Sequence, residues 1–230
     1  MAMERHFDEE LKELREKLLR MAALTESAVA RSVKSLVRRD TEMAHLVILA
    51  DDEINMMEIE AEELCLKLLA LRQPIAKDLR FIAAAMKIIN ELERIGDLSV
   101  NIAQRTLDIL KEPLLKPLID IPRMAGLAQK MVTDSLEAFV HEDSVLARSV
   151  CLRDDEVDSL NYQIFRELLS YMLEDPQTVT RAVDLLLIGR HLERIADHAT
   201  NISEEVVYMV QGKTIKHHIE ERAGSSGRFA

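Results

Sequence analysis

The chain has 230 residues, of which 48% are apolar, and it contains only 6 glycines, 5 prolines and 3% aromatic residues. Leu, Ala, Glu, Lys, Arg and Met dominate this composition, which is typical of long helices and excludes a disordered chain. The formal net charge of -11 argues against general nucleic-acid binding, because a protein that neutralises phosphates needs an excess of Lys and Arg.

The first half of the sequence predicts three helices. Heptad-like apolar spacing marks a helix over about residues 4–38, and Asp40 or Thr41 can cap the next helix. This second helix ends shortly before Pro74, because a proline cannot continue a helix interior. A third helix then continues to about Leu110.

A proline-rich segment divides the chain. Three of the five prolines lie in this segment, at Pro113, Pro117 and Pro122. Helices are predicted after it, over about residues 123–141, 144–173 and 178–211. The predicted organisation is a first three-helix repeat over 1–111, a linker over 112–122, a second three-helix repeat over 123–212 and a flexible tail over 213–230.

The two halves are an internal repeat. The sequence DDEIN over residues 51–55 matches DDEVD over 154–158 at an offset of 103 residues, and the two LERI motifs, which begin at Leu92 and Leu192, match at an offset of 100. The difference of three residues is most simply taken up in the turn after each middle helix. The sequence therefore predicts an all-α fold, a tandem repeat of two three-helix bundles with six long helices.

Each LERI motif begins a stripe of oxygen-bearing side chains. Residues four apart lie about 40° apart around a helix and ~6 Å apart along it, so they share one face. Seven of the eleven positions from 92 to 102 are identical in 192 to 202, although the flanking sequence has diverged. The two stripes consist of Glu93, Asp97 and Asn101, and of Glu193, Asp197 and Asn201.

The middle helix of each half carries its own four-spaced pair, Asp51 with Asn55 and Asp154 with Asp158. In an antiparallel hairpin, residues at the same level share one midpoint. Asp51 with Asp97, and Asn55 with Glu93, both have their midpoint at the turn residue Pro74. The pairs Asp154 with Asp197 and Asp158 with Glu193 share a midpoint beside Pro176. The pairs are therefore level, although this argument leaves open whether they face each other or form a solvated polar surface.

Three or four converging carboxylates are stable at neutral pH only if some are protonated or a cation neutralises them. A metal is the simpler explanation. Oxygen ligands of this kind suit Mg, Ca, Mn or Fe, with Zn also possible. Arg94 and Arg194 lie three residues before Asp97 and Asp197 and can hold these carboxylates as ion pairs, and His198 can add an imidazole in the second half or remain an ordinary hydrogen-bonded histidine.

Together with these stripes, the segments NMMEIEAEELC, RQPIAKDLR, ELERIGD and HLERIADHATNI resemble the PhoU family of bacterial phosphate-signalling proteins. The resemblance covers nearly the whole chain. It implies two similar three-helix bundles, metal ions such as iron, zinc, manganese or magnesium bound at the acidic motifs, and frequent dimerisation. The implied metal residues are Asp51, Asn55, Glu93, Asp97, Asn101, Asp154, Asp158, Glu193, Asp197 and Asn201, supported by Arg94, Arg194 and His198.

The resemblance also implies a role. Family members are similar to adaptors that link a phosphate ABC transporter, through its ATPase subunit, to a sensor histidine kinase and repress the phosphate-starvation response when phosphate is plentiful. We accordingly expect a cytoplasmic, homodimeric regulator that is not an enzyme, does not bind nucleic acid and reaches the membrane only through partner proteins. The sequence contains no nucleotide-binding loop and no nucleophile with a base partner.

Two other functions fit the composition. A di-iron carboxylate enzyme of the ferritin-like class needs a Glu-x-x-His pair on each of two helices, and Glu42 with His45 is the only such pair in the sequence. A purely structural helical scaffold would need none of the acidic pairs. Both remain alternatives to the metal-binding adaptor.

Overall fold

Seven α-helices and no strand occur in residues 2–215, the part of the chain that the computed structural model describes, with side chains from residue 6 onward. None of these helices has the length and apolar content that a membrane span requires. The all-α fold is confirmed. The helices are α1 (Ala2–Arg38), α2 (Thr41–Arg72), α3 (Ala76–Ile109), α4 (Asp120–His141), α5 (Ser144–Cys151), α6 (Asp154–Glu174) and α7 (Val179–Gln211), with a 3-10 turn at Pro176–Thr178 before α7.

In each half, an aspartate caps the N-terminus of the second helix. Asp40 accepts a hydrogen bond from the backbone N–H of Met43 at 2.9 Å, as expected for an N-cap. Asp143 accepts from the N–H groups of Val145 and Leu146 at 2.9 and 3.0 Å. The same capping chemistry therefore starts the second helix of each repeat.

The predicted helix over 144–173 is interrupted at Leu152 and Arg153, which separate α5 from α6. The Arg153 guanidinium donates to Asp134 on α4 at 2.6 Å, and Asp134 is buried and also accepts from Lys130 at 2.6 Å. In the first half the position equivalent to Arg153 is Ala50, which cannot make this ion pair, and α2 is continuous. The break therefore coincides with a contact to another helix.

Helix α4 begins earlier than predicted, at Asp120, so that residues 120–122 of the predicted linker are helical. Pro122 is tolerated there because it lies in the first turn, where backbone N–H groups have no intrahelical partner. The predicted tail over 213–230 falls almost entirely on residues 216–230, outside the described residues. The division of the chain into separate domains stays a prediction.

The segment between α3 and α4 is held by side chains from both halves. Arg39 donates to the backbone oxygens of Leu110 and Glu112 at 3.2 and 2.8 Å, and Arg181 of α7 donates to that of Pro113 at 3.1 Å. Lys116 is buried and forms an ion pair with Glu167 of α6. The connection is therefore packed against the helices on both sides.

Helices α3 and α7 form the centre of the molecule and run antiparallel. Lys87 pairs with Glu205 at 3.0 Å and Arg105 with Asp184 at 3.5 Å, so residue numbers rise on one helix as they fall on the other. Between these pairs the apolar side chains at the interface of the two helices are fully buried, among them Ile88, Leu92, Ile95, Ile188, Leu192 and Ile195, and these residues belong to one hydrophobic cluster that spans both halves. The two repeats thus share a single core.

Arg39 allows the backbone and side-chain contributions to the connection to be separated. Its φ of 55° lies in the left-handed region, which costs a non-glycine residue about 1 kcal/mol. Arg39→Ala and Arg39→Gly both remove the hydrogen bonds to residues 110 and 112. We expect the glycine variant to unfold with a free energy about 1 kcal/mol higher than that of the alanine variant in urea titrations. Equal stability of the two variants would contradict the backbone account.

Candidate metal centres

The first cluster lies between α2 and α3. Asp51 of α2 approaches α3 closely: its Oδ1 atom is 3.3 Å from the position that a Cβ would occupy at Gly96. Its other oxygen accepts a hydrogen bond from the Asn55 amide at 3.1 Å. Since Gly96 lies directly before Asp97, the absence of a side chain there lets the middle helix bring its carboxylate against the acidic stripe of α3.

The carboxylates of this cluster repel one another. Burial raises the pKa of Asp51, and the neighbouring charge of Asp97 raises it further, against the opposing hydrogen bond from Asn55. Burial also raises the pKa of Glu93, with added repulsion from Asp97 and Glu58. Asp51, Glu93 and Asp97 are therefore close enough to act on one another, which the shared midpoint at Pro74 left open.

Glu58 of α2 also belongs to this cluster, although the four-spaced pairs did not predict it. The pKa of Glu58 is raised by burial and by the charges of Glu62 and Asp97. Glu62 in turn accepts a hydrogen bond from the Asn90 amide at 2.9 Å. Glu58 and Glu62 continue the stripe of Asp51 at helical spacing, and this continuation was visible in the sequence.

The second cluster lies between α6 and α7. The pKa of Asp154 is raised from its ordinary value of 3.8 to about 6, by burial and then by the charges of Asp197 and Asp158. Burial and the Asp158 charge likewise raise the pKa of Asp197, against the opposing charges of His198, Arg190 and Arg194. The three aspartates therefore lie close enough to act on one another, which the midpoint beside Pro176 left open.

Glu193 is the fourth carboxylate of the second cluster, and its hydrogen-bond contacts differ between its two oxygens. One of its oxygens accepts a hydrogen bond from Arg190, and the other is buried without a hydrogen-bond partner. Burial and three nearby aspartates raise its pKa in spite of the arginine. The equivalent of Arg190 in the first half is Asn90, and the equivalent of Glu58 in the second half is Asn161, so the two clusters differ in charge.

His198 and Asn201 take part in another contact. The Nδ1 atom of His198 lies 2.5 Å from a Glu91 carboxylate oxygen of α3, and the Asn201 amide donates to the same oxygen at 3.1 Å. The structure therefore places both side chains on Glu91, at the interface of α3 with α7. Asn101 is half-buried one turn beyond Asp97.

The arginines predicted to support the clusters act at longer range. Among residues 6–215, neither Arg94 nor Arg194 forms an ion pair with Asp97 or Asp197, and both arginines are exposed. Their positive charges still oppose the raised pKa values of Glu93 and Asp197. They weaken the repulsion within each cluster without removing it.

The carboxylate and amide oxygens of the two clusters are ligands that suit a hard cation. Two of the carboxylate oxygens have no hydrogen-bond donor beside them that compensates their negative charge. Asp51 Oδ1 and Glu193 Oε2 are buried and have no hydrogen-bond partner. In the described part of the chain, no group of three or more His, Cys, Asp or Glu side chains is arranged to hold a metal ion as the side chains stand. The residues thus fit a cation by their chemistry, and binding would require the carboxylates to turn towards one point.

Comparison with known proteins places these features in a family. Residues 18–106 and 121–206 each match the model of the PhoU domain. A relative from Aquifex aeolicus (strain VF5), described as a phosphate-specific transport system accessory protein PhoU homolog, is 42% identical over 214 residues, which cover 93% of this chain and 97% of that protein.

Two solved structures share the fold along nearly their whole length. The crystal structure of PhoU from Pseudomonas aeruginosa superposes with a TM-score of 0.88 at 39% identity, covering 90% of this chain and 100% of that one. The phosphate transport system regulatory protein PhoU from Streptococcus pneumoniae gives a TM-score of 0.85 at 32% identity, covering 91% and 99%.

The repulsion in the second cluster has a measurable effect on stability. Because the folded-state pKa of Asp154 is about 6 and its ordinary value is 3.8, the folded protein binds more protons between these pH values and loses stability as pH rises through them. Asp154→Asn, which imitates the protonated form, should raise the free energy of unfolding of the metal-free protein by about 1–2 kcal/mol at pH 8.

The gain from Asp154→Asn should shrink as pH falls from about 6 and disappear below about pH 3, where the aspartate is protonated in both states. Urea titrations in the presence of a chelator measure this gain in the free energy of unfolding at each pH. Asp155→Asn removes the same charge from the exposed side of the same helix turn and serves as the control. A destabilising effect of Asp154→Asn at pH 8 would show that the carboxylate is favourably paired.

Proposed function

The chain belongs to the PhoU family, and on that premise we propose that it is a metal-binding regulatory adaptor of a phosphate transport system. Members of this family are accessory proteins and not enzymes, and the chain is likewise not an enzyme. One observation carries the proposal beyond the family. In both halves, carboxylates of neighbouring helices repel one another at the same register, and one oxygen each of Asp51 and Glu193 is buried without a hydrogen-bond partner.

A bound cation would neutralise each cluster. In the first half Asp51, Glu93 and Asp97 would supply carboxylates, and Asn55 an amide oxygen. In the second half Asp154, Asp158, Glu193 and Asp197 would all supply carboxylates. Such oxygen ligands suit magnesium, manganese or iron, and zinc is also compatible with them. Two features support a cation site in the second cluster. The pKa of Asp154 is raised from 3.8 to about 6, and one oxygen of Glu193 is buried without a hydrogen-bond partner.

The adaptor would act through other proteins. We propose that it represses the phosphate-starvation response and modulates high-affinity phosphate uptake by binding the ATPase subunit of the phosphate ABC transporter and a sensor histidine kinase. On this proposal the chain would work in the cytoplasm, as a homodimer, and would reach the membrane by docking on these two partners. The names of the relatives, as accessory and regulatory proteins of phosphate transport, support this role.

The alternatives have less support. Glu42 and His45, the one Glu-x-x-His pair, lie exposed in the first turns of α2 and belong to neither cluster. A structural scaffold gives no reason for neighbouring carboxylates that raise one another's pKa in both halves, since such clusters lower the stability of the fold.

The regulatory role can be tested by deletion and complementation. Deleting the gene should switch on the phosphate-starvation response in high phosphate, measured with a transcriptional reporter of that response. The wild-type gene should restore repression. A double variant, Asp97→Asn with Asp197→Asn, should restore it at least about tenfold less well because each cluster loses one carboxylate ligand.

The matched control is Asp52→Asn with Asp155→Asn, which removes the same charge from exposed positions of the middle helices. It should restore repression fully. The proposal fails if the response stays repressed in the deletion strain and no complex with the transporter or the kinase can be recovered.

A further inference from the structure

The two helical hairpins differ in charge at one level beside the acidic clusters. Glu58 of α2 and Asn90 of α3 have their midpoint in the turn that joins these helices, so the two residues lie level across the hairpin. Their equivalents in the second half are Asn161 of α6 and Arg190 of α7, whose midpoint also lies in the joining turn. The first half therefore has a carboxylate and an amide where the second half has an amide and a guanidinium.

The second half places a positive charge of its own on the cluster. The Arg190 guanidinium donates a hydrogen bond to one carboxylate oxygen of Glu193. Asn161 lies against α7, and its Oδ1 atom is 3.1 Å from the position that a Cβ would occupy at Gly189. Glu193 is therefore partly neutralised by the protein before any ion binds.

The first half has an uncharged amide in the place of Arg190. The Asn90 amide donates to Glu62 at 2.9 Å. The pKa of Glu93 is raised by burial and then by neighbouring carboxylates, among them that of Glu58. Glu93 therefore has a second carboxylate beside it at the level where Glu193 has an arginine.

Glu58 is placed to bind an ion together with the first cluster. It follows Asp51 by seven residues, close to two full turns, so both residues lie on the same face of α2. Its side chain is half-buried, and among residues 6–215 its carboxylate forms no ion pair and no side-chain hydrogen bond. Its oxygens are therefore available as ligands.

We propose that Glu58 is a further ligand of the cation in the first cluster and that Arg190 takes the corresponding place in the second, so that the first site binds a divalent cation more tightly. This inference rests on the proposed function, because it assumes a cation site at each cluster. The four-spaced pairs alone favour the opposite order, since Asn55 stands where the second half has Asp158. With Glu58 included, each cluster has four carboxylates.

Arg190 weakens the second site in two ways. Its charge repels an incoming cation, and Glu193 must share its negative charge between the guanidinium and the ion. The affinity of oxygen-ligand sites for divalent cations depends on the number of charged ligands. Four unpaired carboxylates in the first site should therefore bind more tightly than three and a paired one in the second.

Manganese binding to each site alone tests this order. Asp154→Asn with Asp197→Asn leaves only the first site, and Asp51→Asn with Asp97→Asn leaves only the second. Electron paramagnetic resonance of free Mn²⁺ gives each dissociation constant in buffer freed of other metals. We expect the first site to bind manganese at least about tenfold more tightly than the second.

The ligand role of Glu58 is tested by Glu58→Gln in the protein with the first site alone. The manganese dissociation constant should rise at least about tenfold and stay raised in about 0.5 M salt, because salt screens a charge acting through space but does not restore a lost ligand. Glu63→Gln removes the same charge from an exposed position of α2 and should leave the constant unchanged.

The role of Arg190 is tested by the reciprocal exchange. In the protein with the second site alone, Arg190→Asn with Asn161→Glu recreates the pair found in the first half and should tighten manganese binding at least about tenfold. Arg166→Asn removes a positive charge from an exposed position of α6 and should have no effect. Circular dichroism and urea titrations check that each variant is folded.

The results separate this inference from the proposed function. If neither the wild type nor the single-site proteins bind manganese, the cation sites are wrong and the inference is wrong with them. If both sites bind but the second binds more tightly, or Glu58→Gln leaves the first-site constant unchanged, only the inference is overturned. An effect of Glu58→Gln that vanishes in high salt would also overturn it, since Glu58 would then act through charge alone.

Discussion

The antiparallel packing of α3 against α7 decides where the charged groups of both clusters lie. The facing apolar side chains of the two helices are fully buried, and ion pairs at both ends together with the contact of Glu91 with His198 and Asn201 hold their register. With these faces fixed in the shared core, the carboxylates of the two stripes lie on the sides of α3 and α7 that face α2 and α6, while Asn201 at the end of the second stripe reaches Glu91 of α3. Each middle helix then has only one side on which its own acidic pair can meet a stripe.

This arrangement lowers stability locally. Asp51, Asp154, Asp197 and Glu193 are held where burial and like charges raise their pKa values, and one oxygen each of Asp51 and Glu193 is buried without a hydrogen-bond partner. Groups whose environments oppose their charged form are typical of sites that bind a cation or a charged partner. The large core and the shared interface offset that local cost, so the fold can retain two such clusters.

Much of the fold could be predicted because it depends on local chemistry. Prolines end helices, aspartates cap them, and the turns at Pro74 and Pro176 determine which residues of a hairpin are level. The rotation of each helix about its own axis could not be predicted from prolines, caps and turns, because it depends on packing such as the approach of Asp51 to Gly96. Contacts between segments that are distant in sequence could not be predicted either. No turn joins α3 to α7, so nothing local indicated that His198 and Asn201 would meet Glu91, and the break before Asp154 depends on Asp134 of α4.

The central claim is that the two carboxylate clusters are cation sites at equivalent positions of the repeat. Anomalous X-ray scattering from crystals of the full chain grown with manganese tests it most directly, because the signal locates the ion without relying on activity. The account predicts one anomalous peak between α2 and α3, within about 2.0–2.6 Å of carboxylate oxygens of Asp51, Glu93 or Asp97, and a second at Asp154, Glu193 and Asp197. Crystals that contain manganese but show no peak at either cluster would contradict it.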